Sequence, residues 1–272
     1  MKKSVIFVLF CVMLAAVSAC FAADEITVKV GASPSPHAEI LNQVKDVLAE
    51  QNIKLEIVEF TDYVLPNTAL EDGSLDMNFF QHKPYLDDFN ASYKEKNAKW
   101  IDLVPVLAVH FEPMGIYGGK SSDINAVPEK AKIAVPNDTT NEARALLLLE
   151  SLGIIKVKEG AGLTATKKDI VENPYNIDLV EMEAAQLPRI LPDVDFAIIN
   201  GNYAIDAGLK ASDMLAQEGT DSEAAQLYAN VLVVREDTAE NEVFQAIIEA
   251  VQSDAVKSFI EEEYAGAVVP MF

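Results

Sequence analysis

From Ile26 onward the chain alternates short β-branched runs with amphipathic or polar ones, and this rhythm restricts it to sheets covered by helices. ITVKVGA (26–32) reads as a strand. SPSPHAEILNQVKDVLAEQNI follows as a turn leading into a helix, with Ile40, Leu41, Val44, Val47 and Leu48 on one apolar stripe. KLEIVEF (54–60) is a second strand and YVLPNTALEDG a short helix stopped at Gly73. LDMNFF (75–80) is a third strand, and PYLDDFNASYKEKN a polar helix after it. The pattern predicts a mostly parallel sheet.

Near His110 the character changes. AVHFEPMGIYGG carries a proline and glycines inside an extended run and suits a passage between lobes. A second set of units follows: AKIAVP as a strand, TTNEARALLLLESLG as a helix, NIDLVEME as a strand, AAQLPRIL as a short helix and VDFAIING as a strand. QLYANVLVVRE (226–236) reads as an extended return, and the segment from Glu240 to Tyr264 as helical. The expectation is an α/β protein of two lobes joined by two extended crossings. Residues 24–111 with 228–272 form one lobe and 112–227 the other. Bilobed solute-binding proteins are built this way, but an element pattern alone does not fix function.

The first residues describe the compartment. Lys2 and Lys3 precede an uncharged apolar run from Val5 to Val17, too short to span a bilayer comfortably, so 1–19 reads as an export signal. Val17-Ser18-Ala19-Cys20 resembles a lipobox in which Cys20 is lipidated, while Cys20-Phe21-Ala22 before Ala23 also permits ordinary cleavage. The product is a lipoprotein facing the periplasm or exterior in the first case and a soluble periplasmic protein in the second. Cys11 and Cys20 are the chain's two cysteines, so the folded part has no disulfide or thiol chemistry. The net charge is −22, and losing the leader's two lysines makes it more negative. Such a surface repels nucleic acid and anionic lipid, so nucleic acid is not an expected partner.

No G-x-S-x-G, H-E-x-x-H, Walker or G-x-G-x-x-G pattern is present, and no residue set identifies an exported hydrolase or isomerase. No cofactor is expected. The histidines are His37, His82 and His110, each near the end of an expected strand. With Glu112 they define the alternative reading, a zinc or manganese receptor.

Asn78 to Leu86, NFFQHKPYL, suits the wall of a pocket. Alternation sends Phe79 and Phe80 to opposite faces, so at most one of them can reach a ligand, and core is an equal reading for either. Tyr63, Phe80, His82 and Tyr85 offer aromatic faces with polar tips, suited to a flexible apolar side chain or thioether; filling the core of the first lobe is the competing use. Asn137 to Asn141 link a strand to a helix whose N-terminus attracts an anion. Arg144, in the first turns, has the guanidinium that grips a carboxylate; a surface ion pair is its plainer reading. Asn200 closes an apolar strand, either as a ligand amide or as a turn residue before Gly201. Glu112 in the first crossing suits an ammonium, and Tyr228 and Asn230 lie in the second.

DYVLPNTAL, FFQHKPYLDDF, HFEPMGIY, AVPNDTTNEARALLLLESLGIIKVKEGAGLTAT, DIVENP, VEMEAAQLPR, INGNYA and YANVLVVRED, in this order, resemble the methionine-binding lipoprotein family, the substrate receptors of methionine ABC importers. The resemblance implies a two-lobe fold that closes on methionine and delivers it to a membrane permease with a cytoplasmic ATPase. It places Tyr63, Phe80, His82 and Tyr85 around the side chain, Arg144 on the carboxylate, and Asn200 and Asn230 on the amino-acid backbone. Asn141 and Glu112 accompany them. The family often has threonines after the strand-end asparagine; Gly201 and Asn202 stand here.

Overall fold

The computed structural model describes residues 25–219 and 223–272; the signal peptide 1–19 and Cys20 lie outside the described residues. The strands are β1 (Ile26–Ala32), β2 (Ile53–Glu59), β3 (Met77–His82), β4 (Leu103–Phe111), β5 (Gly115–Gly118) and β6 (Lys132–Pro136). The short pair β7 (Lys156–Val157) and β8 (Ile170–Glu172) follows, then β9 (Asp178–Met182), β10 (Phe196–Ile199), β11 (Met214–Gln217), β12 (Asn230–Arg235) and β13 (Val269–Pro270). They build a six-stranded sheet ordered β13-β4-β12-β3-β1-β2 and a five-stranded sheet ordered β11-β5-β10-β6-β9, besides the β7-β8 ladder. The fold is a bilobed α/β architecture.

Both sheets are mixed rather than mostly parallel. β1 pairs β2 and β3 in parallel, but β12 enters antiparallel between β3 and β4. In the second sheet β6 is parallel to β9 and β10, whereas β5 runs antiparallel to β10 and β11. The antiparallel members adjoin the two passages between sheets, 112–114 and 218–229. A strand that returns from the other lobe meets its new neighbours head-on.

Helices cover both faces of each sheet. On one face of the first, Val30, Met77 and Phe79 pack with Ile40, Leu41 and Leu48; on the other, Phe80 packs with Leu70, Leu86 and Trp100. In the second, Phe196 and Ile198 meet Leu146 and Leu149, while Ala197 and Ile199 meet Leu187 and Tyr203. The period-two alternation thus separates Phe79 from Phe80 as expected.

Several boundaries differ from the sequence reading, among them β3, read as 75–80 and found at Met77–His82. The helix after β1 is two short pieces, Glu39–Asn42 and Lys45–Ala49, and the break turns Val47 outward to 44% exposure while the rest of its stripe is buried. Residues 226 and 227, expected in the extended return, close a helix, Glu223–Leu227. The C-terminal helical segment is Glu242–Val251 and Asp254–Tyr264, parted at Ser253, whose side chain accepts from the Val256 N–H and caps the second helix.

Candidate ligand-binding site

The strand ends of the two sheets face each other. β3 stops at His82 because its ring caps the helix Lys83–Lys96, Nδ1 accepting from the Tyr85 N–H at 3.2 Å, with Pro84 in the first turn. On the opposite sheet Asp138 caps the helix Thr139–Ser151, accepting from the Asn141 N–H at 3.0 Å. That helix carries Asn141 and Arg144 inward, both buried. Asn200 follows the fully buried β10. The register sets Asn230 opposite His82 on one side and His110 on the other. Tyr63 projects from a turn in which Asp62 Oδ1 accepts the Val64 and Leu65 N–H groups at 2.7 and 2.8 Å.

Between them lies a small cavity lined by the nine residues that the resemblance places at the ligand: Tyr63, Phe80, His82, Tyr85, Glu112, Asn141, Arg144, Asn200 and Asn230. Gln81, Gly201 and Asn202 complete the lining. One wall is aromatic, with the Tyr63, Phe80 and Tyr85 ring centroids 5.7–6.2 Å apart. Tyr85 OH donates to the Tyr63 carbonyl at 2.8 Å, which holds the two rings together. Behind this wall Gln81 exchanges hydrogen bonds of 2.6 and 2.8 Å with Asn67, so its buried amide is satisfied.

The opposite side is polar, and its protons can be placed. Because His82 Nδ1 is an acceptor, Nε2 carries the hydrogen and donates to Asn141 Oδ1 at 3.0 Å. Asn200 Nδ2 donates to the same oxygen at 2.8 Å, which leaves Asn200 Oδ1 a buried acceptor with no partner among the described residues. His37 Nε2 donates to Asn230 Oδ1 at 3.0 Å and His110 Nε2 to Glu112 Oε1 at 2.7 Å. Burial keeps all three imidazoles neutral, lowering His37 to about 4 and His82 and His110 to about 3. Burial raises the Glu112 carboxyl, and His37, Arg144 and the Asn202 N–H pull the other way.

Arg144 does not present its two-pronged edge to the cavity. Nε and Nη2 donate to the Glu218 carboxylate at 2.7 and 2.6 Å, and Nη2 also to the Glu112 carbonyl at 2.7 Å. The guanidinium lies 4.4 Å from the centre of the Tyr228 ring. Burial lowers its pKa and the Glu218 charge more than offsets this, so the guanidinium is held ionised. Nη1 makes no hydrogen bond with the described residues. Sequence reasoning missed Glu218, whose only local signal is an acid in a crossing 74 residues away.

Gly201 is explained by Glu112. A Cβ at 201 would stand 2.7 Å from both Cβ and Oε2 of Glu112, so a side chain there and this carboxylate exclude each other. The threonine expected from family resemblance has no room.

The three histidines are not brought to one point. His37, His110 and Glu112 offer ligand atoms within 4.8 Å of one another, a zinc-like donor set, but His82 is outside that group. An ion held by the two Nε2 atoms would shift both ring protons to Nδ1, and His110 Nδ1 meets no acceptor among the described residues. Metal-bound imidazoles nearly always donate that proton to a neighbour.

No helix among the described residues is long and apolar enough to cross a membrane. The family model for the NlpA lipoprotein matches residues 28–272. The chain is 44% identical over 254 residues to "Membrane lipoprotein TpN32" of Treponema pallidum, covering 93% of this chain and 91% of that one. It is 40% identical over 246 residues to "D-methionine-binding lipoprotein MetQ" of Salmonella typhimurium, covering 89% and 87%. A nutrient-binding protein of Burkholderia cenocepacia, solved bound to methionine, superposes with a TM-score of 0.83 at 41% identity, covering 90% of this chain and all of that one. The chain belongs to the NlpA lipoprotein family.

Proposed function

We propose that the protein is the exported receptor of an ABC importer, a non-enzymatic carrier that encloses methionine or a close analogue between its lobes, 24–111 with 228–272 and 112–227. It passes the guest to a membrane permease driven by an ATPase, and lipid on Cys20 keeps it at the membrane. The relative named for D-methionine and the methionine-bound neighbour support the ligand class. The observation that carries the reading is the pairing of chemistries within one cavity. An aromatic wall stands opposite Asn200 Oδ1 and the Glu112 carboxylate as acceptors, with Arg144 Nη1 and the Asn230 amide as donors. The acceptors suit an ammonium, the donors a carboxylate, and the rings a thioether.

Burying the methionine side chain contributes about 1.5–3 kcal/mol. Orientation comes from the polar groups, each already held by a partner that leaves one atom unspent. Closure draws its free energy from contacts absent in the open form, here His82 to Asn141 and Tyr63 to Asn202 across the cleft. Native mass spectrometry of the purified chain, followed by titration of ligand-free protein with methionine, tests the reading. One bound methionine per chain is expected, and no bound amino acid together with no heat would remove it.

The second reading, a zinc or manganese receptor, has only the His37–His110–Glu112 grouping in its favour. Titration of the chelator-treated protein with zinc separates the two: saturable binding displaced by chelator supports the metal, and none supports the amino acid.

A further inference from the structure

Asn202 enters the account above only as the partner of Tyr63 across the cleft, yet more of its side chain is committed than that. Its side chain is 2% exposed and lines the cavity. Oδ1 accepts from the Tyr63 hydroxyl of the opposite lobe at 2.6 Å. Nδ2 is buried without a partner among the described residues.

We infer that Asn202 is a ligand-reading latch, donating from Nδ2 to the carboxylate of the guest while Oδ1 holds Tyr63, so that one amide grips the guest and the far lobe together. The inference rests on the amino-acid reading given under the proposed function. A buried amide hydrogen is costly to leave unpaired, and in a zwitterionic amino acid the carboxylate is the one strong acceptor. The amide is planar, so fixing Oδ1 on Tyr63 fixes the direction of Nδ2. The donor is therefore aimed before the guest arrives, which lowers the ordering cost of binding. The Tyr63 bond crosses the cleft and forms only with the lobes together, so the residue that senses the carboxylate also stabilises closure. A threonine hydroxyl would offer a single atom for both bonds, where the amide offers two.

The test uses the mature wild-type chain, N202A and Y63F, with methionine and methioninol, in which the carboxylate is replaced by a CH₂OH group. Titration calorimetry should give N202A a loss of at least roughly ten-fold for methionine, as for a hydrogen bond to a charged group. The loss for methioninol should be several-fold smaller. In stopped-flow displacement Y63F should release methionine faster, with the preference of methionine over methioninol reduced. Unchanged methionine affinity in N202A, or an equal loss for both ligands, overturns the assignment, because a merely structural residue would not distinguish them. Should N202A fail to fold, Y63F decides: an unaltered release rate overturns the latch. Wild-type protein that does not bind methionine removes the underlying reading and the assignment with it, whereas wild-type binding with an indifferent N202A removes the assignment alone.

Discussion

Replacing Arg144 with alanine should produce two separable effects, because the guanidinium has two separable sets of contacts. Toward the protein it holds Glu218 with two short hydrogen bonds, in a pair whose side chains are only 4% and 10% exposed. Deleting one member of a buried pair strands the other, at about 3–5 kcal/mol. At about 2–4 °C per kcal/mol for a chain of this size, the ligand-free Tm should fall by about 6–20 °C. Toward the guest, Nη1 supplies one hydrogen bond to a carboxylate, a contribution of about 1.5–3 kcal/mol. The dissociation constant for methionine should therefore rise by about 10- to 150-fold. The double variant R144A/E218Q separates the two, since a neutral glutamine is less costly to strand. It should recover much of the stability and none of the affinity. Calorimetric melting of the ligand-free proteins and titration with methionine measure both. Unchanged affinity in R144A would take Arg144 out of the ligand site, and affinity restored in the double variant would mean that the loss came only from a collapsed hinge.

Gly201→Thr should lower methionine affinity by at least roughly ten-fold, because its Cβ would meet Glu112 at 2.7 Å; titration with affinity intact would show that the Glu112 carboxylate is not needed there. Asn230→Ala should weaken methionine binding and also destabilise the ligand-free chain, since it removes the acceptor of the buried His37 Nε2–H; an unchanged dissociation constant would place Asn230 outside the site. His110 binds its proton less readily folded, at about 3, than unfolded, near 6.5, so the unfolded chain takes up more protons between those values. The stability this gives is full above pH 6.5 and is lost as pH falls toward 3, with Glu112, whose carboxyl is raised, acting in the opposite sense. Urea unfolding at pH 7 and pH 5 should accordingly show a smaller acid-induced loss in H110Q than in wild type; equal losses would contradict a neutral buried His110.

Much of the frame is legible in residue order. β-branched alternation located β1, β2, β6 and β10, and it foretold that Phe79 and Phe80 would part to opposite faces. The caps of the two site helices, His82 and Asp138, were not read from the sequence. What escaped depends on distant partners. The pause between Asn42 and Lys45 that exposes Val47 leaves the apolar period intact in the sequence. The mixed sheets follow from β12 returning beside β3 and β4, a pairing that periodicity does not encode. Arg144 read as a carboxylate-gripping residue or a surface ion pair, and its buried pair with Glu218, which takes its two-pronged edge, was not legible. Gly201 and Asn202 read as departures from a family pattern until the carboxylate of Glu112 was found against one and Tyr63 against the other.

The central claim is that one cavity joins an aromatic wall to a matched set of acceptors and donors for a zwitterion. The most direct measurement is calorimetric titration of ligand-free mature protein with methionine, methioninol and 3-methylthiopropylamine, which lacks the carboxylate altogether. The account predicts one methionine bound per chain and a steep loss of affinity for both analogues. Equal affinity for all three would contradict it, because binding would then owe nothing to the carboxylate.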